Sequence, residues 1–539
     1  MKKHLRAVAV LVLLAGSIVG AEEPRSQMQP NILLITIDTL RPDALGWIAG
    51  RNATPNIDAI ALSGVRFRAA TTHVPLTLPA HASLFTSLIP PRHGVRGNDH
   101  RLSSEVETLA EMLSSRNYTC GAFVSAYPLA REFGLDQGFS HYDDHFPDAD
   151  GNERSAMATT QAALEWVKTV DGPWFIWIHY WDPHMPYDPP RAFWKPGRDG
   201  AYLGEVEYVD HAIGVLVGQL DSEQTENRLT VITADHGESL GEHGEKSHGF
   251  FIYDSTIAVP LIFHWPGHLA AKEARETPRL VDVAPTLLDL LGGLPGSRLG
   301  DGRSLLPILQ GRAMEVERGY IETLLPWRTY GWSPLLGFRS TGFKVIAAPS
   351  PEAFDLINDP SELKNLASSR GPAVRQATVE ALALARVGSG RTVPASREAL
   401  DRLEALGYVA PQVESETFPD IMSLADPKKM TAIRGQLQAA EAEAEKGNFE
   451  GAIDLFSEVL AVDPDNPVAL IRSGWALLLS GDSVQAAERA MSVLQSRADH
   501  QEAKRLLKEA RSKKSGPDTP STTENGGVNL ENLKPKPAR

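Results

Sequence analysis

Short apolar runs alternate with amphipathic stretches between about residues 31 and 311. Each run is five to seven residues long, and the runs lie at 31–37, 119–124, 174–179, 229–233 and 259–263. Uninterrupted hydrophobic segments of this length are typical of strands that helices cover on both faces. We therefore predict a doubly wound α/β domain with a mostly parallel sheet. In that architecture ligands bind beyond the carboxyl ends of the strands.

The hydrophobic pattern changes after residue 315. Strand-like pieces at 320–322, 336–339 and 343–346 are separated by Gly, Ser and Pro, and an Ala-rich helical stretch follows them. These pieces predict a small antiparallel subdomain. Residues 411–427 mix prolines and polar residues without a period. We therefore predict a catalytic α/β domain over 30–315, a C-terminal subdomain of the same unit over 316–410, and a linker over 411–427.

An internal repeat follows the predicted linker. Gly447, Ala452, Leu460, Asp465 and Ala469 recur 34 residues later as Gly481, Ala486, Leu494, Asp499 and Ala503. This helix–turn–helix period is that of tetratricopeptide repeats, so we predict two repeats and a final helix over 428–513. Such an array can engage a peptide, a neighbouring subunit or its own chain. The Pro-, Thr- and Asn-rich segment 514–539 is expected to be a disordered tail.

Composition narrows the classes of function. Of 539 residues, 42% are hydrophobic and 22% are charged, which is ordinary for a globular protein. The net charge of −15 argues against a general nucleic-acid binder. The single cysteine, Cys120, excludes an internal disulfide.

The first residues have the layout of a secretory signal. Lys2, Lys3 and Arg6 precede an apolar run at 7–19, and small residues at 19–21 offer a cleavage site. The run is shorter than the ~20 apolar residues that a spanning helix needs, so an uncleaved membrane anchor is the weaker interpretation. We therefore predict a signal peptide over 1–21, export to the periplasm or the exterior, and no stable membrane span.

Polar side chains stand where two of the apolar runs end. Asp38 follows the first run, and Asp235 and His236 follow the fourth. Because the carboxyl ends of parallel strands meet at one rim, two carboxylates and an imidazole there can hold a divalent cation. The simpler interpretation is that each Asp caps the loop that follows it.

Thr77 stands where a loop turns into a helix, with Pro79 in the first turn. Backbone N–H groups at a helix N-terminus favour an anion, and a nearby cation would activate the threonine hydroxyl. Taken alone, however, a Thr before a helix is usually an N-cap.

Six segments of the predicted catalytic unit carry a more specific signal. They are 31–43 (NILLITIDTLRPD), 77–86 (TLPAHASLFT), 182–187 (DPHMPY), 233–238 (TADHGE), 282–289 (DVAPTLLD) and 354–362 (FDLINDPSE). In this order they resemble sulfatases of the alkaline phosphatase superfamily, and the likeness extends over about 31–367. The final repeats resemble the tetratricopeptide tail of some bacterial sulfatase-like proteins.

The resemblance implies one divalent metal ion, namely calcium, manganese or zinc. Asp38, Asp235 and His236 fall on metal positions, Thr39 stands where many sulfatases have a second Asp, and Thr77 falls on the nucleophile position beside the metal. The family usually binds calcium through oxygen ligands. The nitrogen of His236 shifts the preference toward zinc or manganese.

The resemblance also implies residues around the ester. His184 falls on a histidine that contacts the ester, and Lys246 or His248 supplies the cationic partner of the leaving-group oxygen. Tyr187 is our candidate for a ring that contacts substrate. A second cation held by Asp182, His184 and His248 is the alternative to a single one. Three further histidines are expected to be structural, namely His179, His243 and His264.

The sequence departs from the family at the nucleophile. Sulfatases carry Cys or Ser there, matured to formylglycine within a Cys/Ser-x-Pro-x-Arg context, whereas this chain has Thr77 and has His81 in place of the Arg. Thr cannot form that aldehyde, so no formylglycine is expected, and His81 joins the candidate catalytic residues. A threonine alkoxide is the nucleophile of the phosphodiesterase and phosphoethanolamine-transferase branches of the superfamily.

Three functions agree with these features. The first is an exported, metal-dependent hydrolase of sulfate, phosphate or phosphonate esters with Thr77 as nucleophile. The second is a phospho-group transferase, and the third is a catalytically degenerate scaffold that acts through its repeats. We expect a small-molecule or glycan ester as substrate, a protein or peptide partner for the repeats, and no nucleic acid. Residues 330–333 are a candidate cover for the pocket, or else ordinary loop packing.

Overall fold

The computed structural model describes residues 29–50, 53–146, 153–222, 227–293, 298–387, 393–405 and 418–514. The predicted signal peptide lies outside these ranges, as do 411–417 of the predicted linker and all but the first residue of the predicted tail. No helix in the described part of the chain combines the length and the apolar character that crossing a membrane requires.

Sixteen strands lie within the described residues. In chain order they are β1 (Asn31–Ile37), β2 (Val65–Thr71), β3 (His100–Arg101), β4 (Thr119–Val124), β5 (His141–Asp143), β6 (Trp174–Tyr180), β7 (Arg228–Ala234), β8 (Ala258–His264), β9 (Lys272–Ala274), β10 (Arg298–Leu299), β11 (Gly302–Arg303), β12 (Gly319–Thr323), β13 (Leu335–Arg339), β14 (Phe343–Ala347), β15 (Glu352–Asp355) and β16 (Val393–Pro394). Eight of them form the main sheet, in the order β5-β4-β6-β1-β7-β8-β2-β9. In this sheet β8 runs antiparallel to both its neighbours, and the other pairs are parallel.

The same described residues form eighteen α-helices. In chain order they are α1 (Gly46–Ala49), α2 (Pro55–Ser63), α3 (Thr77–Thr86), α4 (Pro90–His93), α5 (Leu109–Ser114), α6 (Ala156–Val167), α7 (Gly200–Ser222), α8 (Asp254–Ile257), α9 (Val283–Leu290), α10 (Leu306–Leu309), α11 (Leu325–Tyr330), α12 (Gly371–Ala385), α13 (Arg397–Ala405), α14 (Thr431–Glu445), α15 (Phe449–Val462), α16 (Pro467–Ser480), α17 (Ser483–Ser496) and α18 (Gln501–Lys514).

The centre of the main sheet is buried on both faces. Every residue of β6 and β7 is buried, and so are six of the seven residues of β1. Apolar side chains on both faces of a strand require cover on both sides, which is why these segments read as unbroken hydrophobic runs. The predicted doubly wound, mostly parallel sheet is confirmed.

A second, smaller sheet follows the main one. Strands β12, β13, β14 and β15 pair in sequence order, and every pair is antiparallel. The backbone N–H of Glu322 on β12 donates to the His73 carbonyl at 2.9 Å, which ties this sheet to the segment before α3. The predicted small antiparallel subdomain is therefore confirmed.

Helices α14 to α18 form the repeat array. Asn448, Asn466 and Asp482 each cap the following helix by accepting a backbone N–H three residues later. The predicted helical repeats with a final helix are confirmed. The segment 330–333, a candidate cover for the pocket, packs instead against this array, because Trp332 is 1% exposed and its indole N–H donates to Asp463.

Candidate active site

Strand register brings Asp38 and Asp235 together. Strands β1 and β7 are parallel neighbours with Ile37 opposite Ala234, so the residues that follow leave the sheet side by side. Both aspartates are buried at this carboxyl rim, and His236 follows directly.

Asp38, Asp235 and His236 form one buried cluster of ligand atoms, all within 4.8 Å of one another. His236 Nε2 is 3.7 Å from Asp38 Oδ1 and 3.5 Å from Asp235 Oδ2. These three atoms, and Asp38 Oδ2, have no hydrogen-bond partner among the described residues. Buried polar atoms are normally satisfied, and such separations are those of neighbouring ligands around a cation with bonds of ~2.1 Å. The cluster therefore fits a divalent cation.

Neighbouring groups orient these ligands. Asp235 Oδ1 accepts the backbone N–H of His236 at 2.8 Å and that of Thr39 at 3.3 Å. His236 Nδ1 lies 3.0 Å from the Gly237 carbonyl, which can only accept, so Nδ1 carries the proton and Nε2 presents its lone pair. Thr39, expected at a metal position, donates its hydroxyl to the Pro183 carbonyl. With its hydroxyl bonded elsewhere, Thr39 is placed to orient Asp235 through its backbone N–H.

Burial sets the protonation of the cluster. Burial raises the pKa of Asp38 well above its usual value, and the charges of Asp235 and Glu238 raise it further. Burial lowers the pKa of His236 to about 4, against the attraction of Asp235. The imidazole is therefore neutral near pH 7, as a metal ligand must be, and a cation would offset the repulsion between the carboxylates.

Thr77 is the first residue of α3 and is fully buried. The N-cap position falls on Leu76, so the interpretation of Thr77 as an ordinary N-cap is wrong. The Thr77 hydroxyl has no hydrogen-bond partner within the described ranges. His81 links Thr77 to the cluster, because its Nδ1 lies 2.8 Å from the Thr77 carbonyl and 3.9 Å from Asp235 Oδ2. Thr77 therefore lies beside the candidate ligand cluster, and its buried hydroxyl is unsatisfied among the described residues.

A hydroxyl on β1 connects three aromatic side chains. Thr36 Oγ1 lies 2.9 Å from Trp177 Nε1 and 3.0 Å from both His81 Nε2 and His179 Nδ1. The indole N–H donates to Thr36. Neutral His81 already donates from Nδ1 to the Thr77 carbonyl, so its Nε2 accepts the Thr36 proton. Thr36 then has one lone pair left, and this lone pair accepts the His179 Nδ1–H.

This proton order leaves a lone pair on His179 Nε2, which lies 3.3 Å from Asp38 Oδ2. Neither atom has a hydrogen-bond partner in the described part of the chain. Burial also lowers the pKa of His179 well below its usual value, so the ring is neutral. His179, expected to be structural, therefore presents a second nitrogen lone pair toward the ligand cluster. Sequence reasoning missed this because the residue lies inside an apolar run.

His248 lies next to the cluster with a carboxylate partner. Its ring centre is 4.4 Å from that of His236, and its Nδ1 is 3.1 Å from Glu238 Oε1. Glu238 also accepts a hydrogen bond from the Tyr187 hydroxyl at 3.0 Å. Burial alone would lower the pKa of His248, but Glu238 and two further acids raise it above its usual value. His248 can therefore carry a proton near neutral pH.

The other residues expected around the ester are arranged differently. Lys246 is exposed, so His248 is the candidate leaving-group partner that lies beside the cluster. His184 stacks on Trp181 with ring centres 3.7 Å apart, and its ring centre is 5.1 Å from that of His248. Asp182 accepts a backbone N–H at 2.9 Å. Among the described residues these groups form no second ligand cluster, so the two-cation alternative gains no support.

Asn98 was not singled out in the sequence, yet it lies at the start of α3. Its Oδ1 accepts the Leu78 N–H at 3.0 Å, and its buried Nδ2 has no hydrogen-bond partner among the residues that the structure describes. An amide N–H at such a place is a donor suited to an ester oxygen. No local pattern marks this residue, because its position depends on a contact with a distant helix.

Family models match three stretches of the chain. A model described as Sulfatase matches residues 30–294, and one described as N-sulphoglucosamine sulphohydrolase, C-terminal, matches 241–383. A model described as Tetratricopeptide repeat matches 443–510. The first two together span the main sheet, α3 and the antiparallel sheet.

Sulfatases from bacteria are similar over most of their length. The uncharacterized sulfatase YidJ of Escherichia coli is 24% identical over 421 residues, covering 63% of this chain and 83% of that protein. The choline-sulfatase of Rhizobium meliloti is 27% identical over 450 residues, covering 66% of this chain and 85% of that protein. Among solved structures, the phosphonate monoester hydrolase of Agrobacterium radiobacter matches with a TM-score of 0.54 at 22% identity, covering 66% of this chain and 95% of that one. The last match shows a shared fold.

Proposed function

The chain carries a catalytic unit of the sulfatase family followed by tetratricopeptide repeats, and from this premise we propose that it hydrolyses sulfate or phosphate and phosphonate esters with Thr77 as the nucleophile. One observation carries the proposal. The Thr77 hydroxyl is buried and has no hydrogen-bond partner in the described part of the chain, and its residue is linked by His81 to the Asp235 ligand. Leaving such a hydroxyl unsatisfied is costly in an ordinary core, which favours a functional role.

One divalent cation is the cofactor that we propose for Asp38, Asp235 and His236. When bound there, it would lower the pKa of the Thr77 hydroxyl and offset charge on the ester oxygens. The unsatisfied carboxylate and imidazole atoms support this assignment. The nitrogen lone pair of His236 favours zinc or manganese over calcium.

The chain's own residues supply the remaining chemistry. Thr77 Oγ1 loses its proton to solvent, attacks the sulfur or phosphorus in line with the leaving alcohol, and forms a covalent ester. The bond from that centre to the alcohol oxygen breaks, and His248 gives its proton to the departing oxygen. Asn98 Nδ2 and the N–H groups that begin α3 can donate to the ester's other oxygens.

Water completes the reaction by attacking the covalent ester. Neutral His248 takes a proton from the attacking water, and the Thr77 oxygen leaves and regains a proton from solvent. The products are the alcohol and sulfate, phosphate or phosphonate. No aldehyde is needed for this release, so the proposal requires no formylglycine.

We also propose that the protein is exported. The charged start, apolar run and small residues of the first 21 positions support a signal peptide. The substrate would then be a small-molecule or glycan ester outside the cytoplasm.

Thr77→Ala tests the nucleophile. The wild type and the variant are assayed on nitrophenyl sulfate, phosphate monoester, phosphate diester and phosphonate monoester, with calcium, manganese or zinc in turn. We expect the wild type to turn over at least one ester, and Thr77→Ala to lose roughly 1,000-fold or more in kcat. Thr86→Ala, the same substitution at the end of the same helix, retains turnover.

Metal content separates the competing functions. Elemental analysis of the wild type and Asp235→Asn should show one bound cation in the first and a loss in the second, because a ligand has been removed. Turnover that survives Thr77→Ala would contradict the nucleophile. Absence of both turnover and bound metal in the wild type would instead support the degenerate scaffold.

A further inference from the structure

Helix α11 is held at its end by the repeat array. Trp332, just beyond α11, donates its indole N–H to Asp463 Oδ2 at 2.7 Å. Tyr330, the last residue of α11, stacks on the Trp332 ring with centres 4.5 Å apart. Asp463 is the C-cap residue of α15, so these contacts join α11 to the repeats.

The middle of α11 fixes the segment that carries Asn98. Arg328 donates two hydrogen bonds to Asp99, at 2.9 and 2.6 Å, and both side chains are buried. A bidentate pair fixes orientation as well as distance. Asp99 directly follows Asn98, whose Oδ1 accepts the Leu78 N–H in the first turn of α3. Arg328 therefore holds an amide donor at the start of the nucleophile's helix.

The start of α11 lies against the segment that carries His248. Thr323, two residues before α11, donates its hydroxyl to the Gly249 carbonyl. Gly249 has a φ of +91°, and a Cβ on it would lie 3.2 Å from Leu325 Cδ2 and 3.2 Å from Leu76 Cδ2. Gly249 is therefore confined between α11 and the N-cap residue of α3, directly after His248.

A second contact from the repeats reaches the same segment. The Arg434 guanidinium of α14 lies 4.4 Å from the centre of the Phe250 ring. The Phe250 N–H donates to Glu245 Oε1 at 2.8 Å. Phe250, Trp332 and Phe456 of α15 belong to one buried hydrophobic cluster, so the catalytic unit and the repeats share a core.

We propose that the tetratricopeptide repeats act within the chain as the anchor of α11, and that α11 in turn positions Asn98, Thr77 and His248. This inference rests on the proposed function. On this proposal, the repeat surface around Asp463 binds segment 330–332 of the same chain. Trp332 and Asp463 are positioning residues, because they act through α11 and not on the ester.

Trp332→Phe tests the anchor because it removes the indole N–H and keeps an aromatic ring. The full chain, loaded with the cation that gives most turnover, is assayed on its best nitrophenyl ester beside Asp463→Ala, which removes the acceptor. We expect kcat to fall roughly 3- to 30-fold in each variant with KM and metal content nearly unchanged, because geometry and not binding is disturbed. The double variant falls no further than the more affected single one, since both changes act on one bond.

Trp475→Phe is the matched control. Its indole N–H also donates to a carboxylate, Glu502 Oε1 at 3.2 Å, but within the repeats. We expect this variant to keep the wild-type kcat. A fall equal to that of Trp332→Phe would overturn the inference, because any loosening of the repeats would then suffice.

Hydrogen exchange gives a readout that does not depend on turnover. The N–H groups of Arg328 and Trp332 bond to the Leu324 and Pro326 carbonyls, so loss of the anchor should speed exchange over 327–332 and over 97–100. Unchanged exchange in Trp332→Phe, or faster exchange with an unchanged kcat, overturns the inference. If Trp332→Phe does not fold, Asp463→Ala is judged by the same criteria.

The wild type separates this inference from its premise. Variants that match an active wild type overturn the anchor and leave the proposed function standing. A wild type without turnover on any ester overturns the proposed function, and the anchor's catalytic role with it.

Discussion

Burial sets the protonation of most imidazoles at the site. It lowers the pKa of His81, His179, His184 and His236. His248 differs: burial opposes its charge, but the Glu238 carboxylate 3.1 Å from Nδ1 raises its pKa. Neutral rings present lone pairs and His248 can carry a proton, so one small region offers both unprotonated nitrogens and a basic ring.

Glu205 of α7 is a buried carboxyl that stays protonated in the folded protein. It is 4% exposed, and burial, followed by the charge of Asp182, raises its pKa from 4.5 to about 9. The folded state binds this proton more tightly than the unfolded state does. The bound proton therefore contributes fully to the free energy of unfolding below pH 4.5, and this contribution is lost as the pH rises toward about 9. We expect Glu205→Gln to raise Tm by several degrees at about pH 8, and by nothing near pH 4.5, in scanning calorimetry.

Glu207→Gln on the same helix is the control. Glu207 contacts Lys195 Nζ at 2.7 Å, so its neutralisation removes an ion pair and gives no gain in Tm at alkaline pH. A gain of equal size in both variants, or a Glu205→Gln gain that is independent of pH, would contradict a raised pKa of Glu205 as the cause.

At the scale of elements, the apolar runs predicted the strands at the centre of the main sheet. All five runs lie within β1, β4, β6, β7 and β8. β2 escaped prediction because Arg66 and Arg68 interrupt its apolar residues, and both arginines pair with Glu273 on the edge strand β9. The antiparallel direction of β8 has no local signal either.

Some residues of the candidate site could likewise be predicted from the sequence, and others could not. Asp38 and Asp235 could be placed together because both follow central strands, and the register of β1 on β7 is what joins them. His179 and Asn98 could not be placed, because the first depends on the Thr36 hydroxyl of a neighbouring strand and the second on a backbone N–H of α3. Contacts between elements, and not properties of a segment, decide these positions.

Thr36→Val tests how β1, β6 and α3 are joined. The change leaves the Trp177 N–H, the His81 Nε2 and the His179 Nδ1–H without their common partner in a buried part of the core. Several unsatisfied buried groups together should lower the free energy of unfolding by about 2–4 kcal/mol, measured by denaturant titration.

The same substitution at Thr233 is the control, because Thr233 is paired with Thr36 in the register of β1 and β7. Its hydroxyl donates its one proton to the Pro260 carbonyl at 2.7 Å, so Thr233→Val leaves no buried donor unsatisfied and should cost less. Equal losses in the two variants would show that the three hydrogen bonds of Thr36 add nothing to the free energy of unfolding beyond what one buried threonine hydroxyl adds.

At the scale of the whole molecule, the 34-residue period predicted the helices but not their place on the catalytic unit. The period arises from packing of one repeat on the next. The docked surface is made by residues outside it, such as Phe250 and Trp332, which share one buried cluster with repeat residues. The sequence pattern alone therefore suggests that the repeats are an independent array. The structure shows instead that the repeats and the catalytic unit share a core.

A shared core predicts shared unfolding. Phe456 of α15 is fully buried in the cluster that also contains Phe250 and Trp332, so its loss weakens both parts at once. We expect the wild type to give one calorimetric transition, and Phe456→Ala, at a cost of about 3–5 kcal/mol, to move that whole transition to lower temperature. Val462→Ala, at a 65% exposed position of the same helix, should leave it in place. Two transitions, with only the smaller one shifted by Phe456→Ala, would mean that the repeats unfold independently of the catalytic unit.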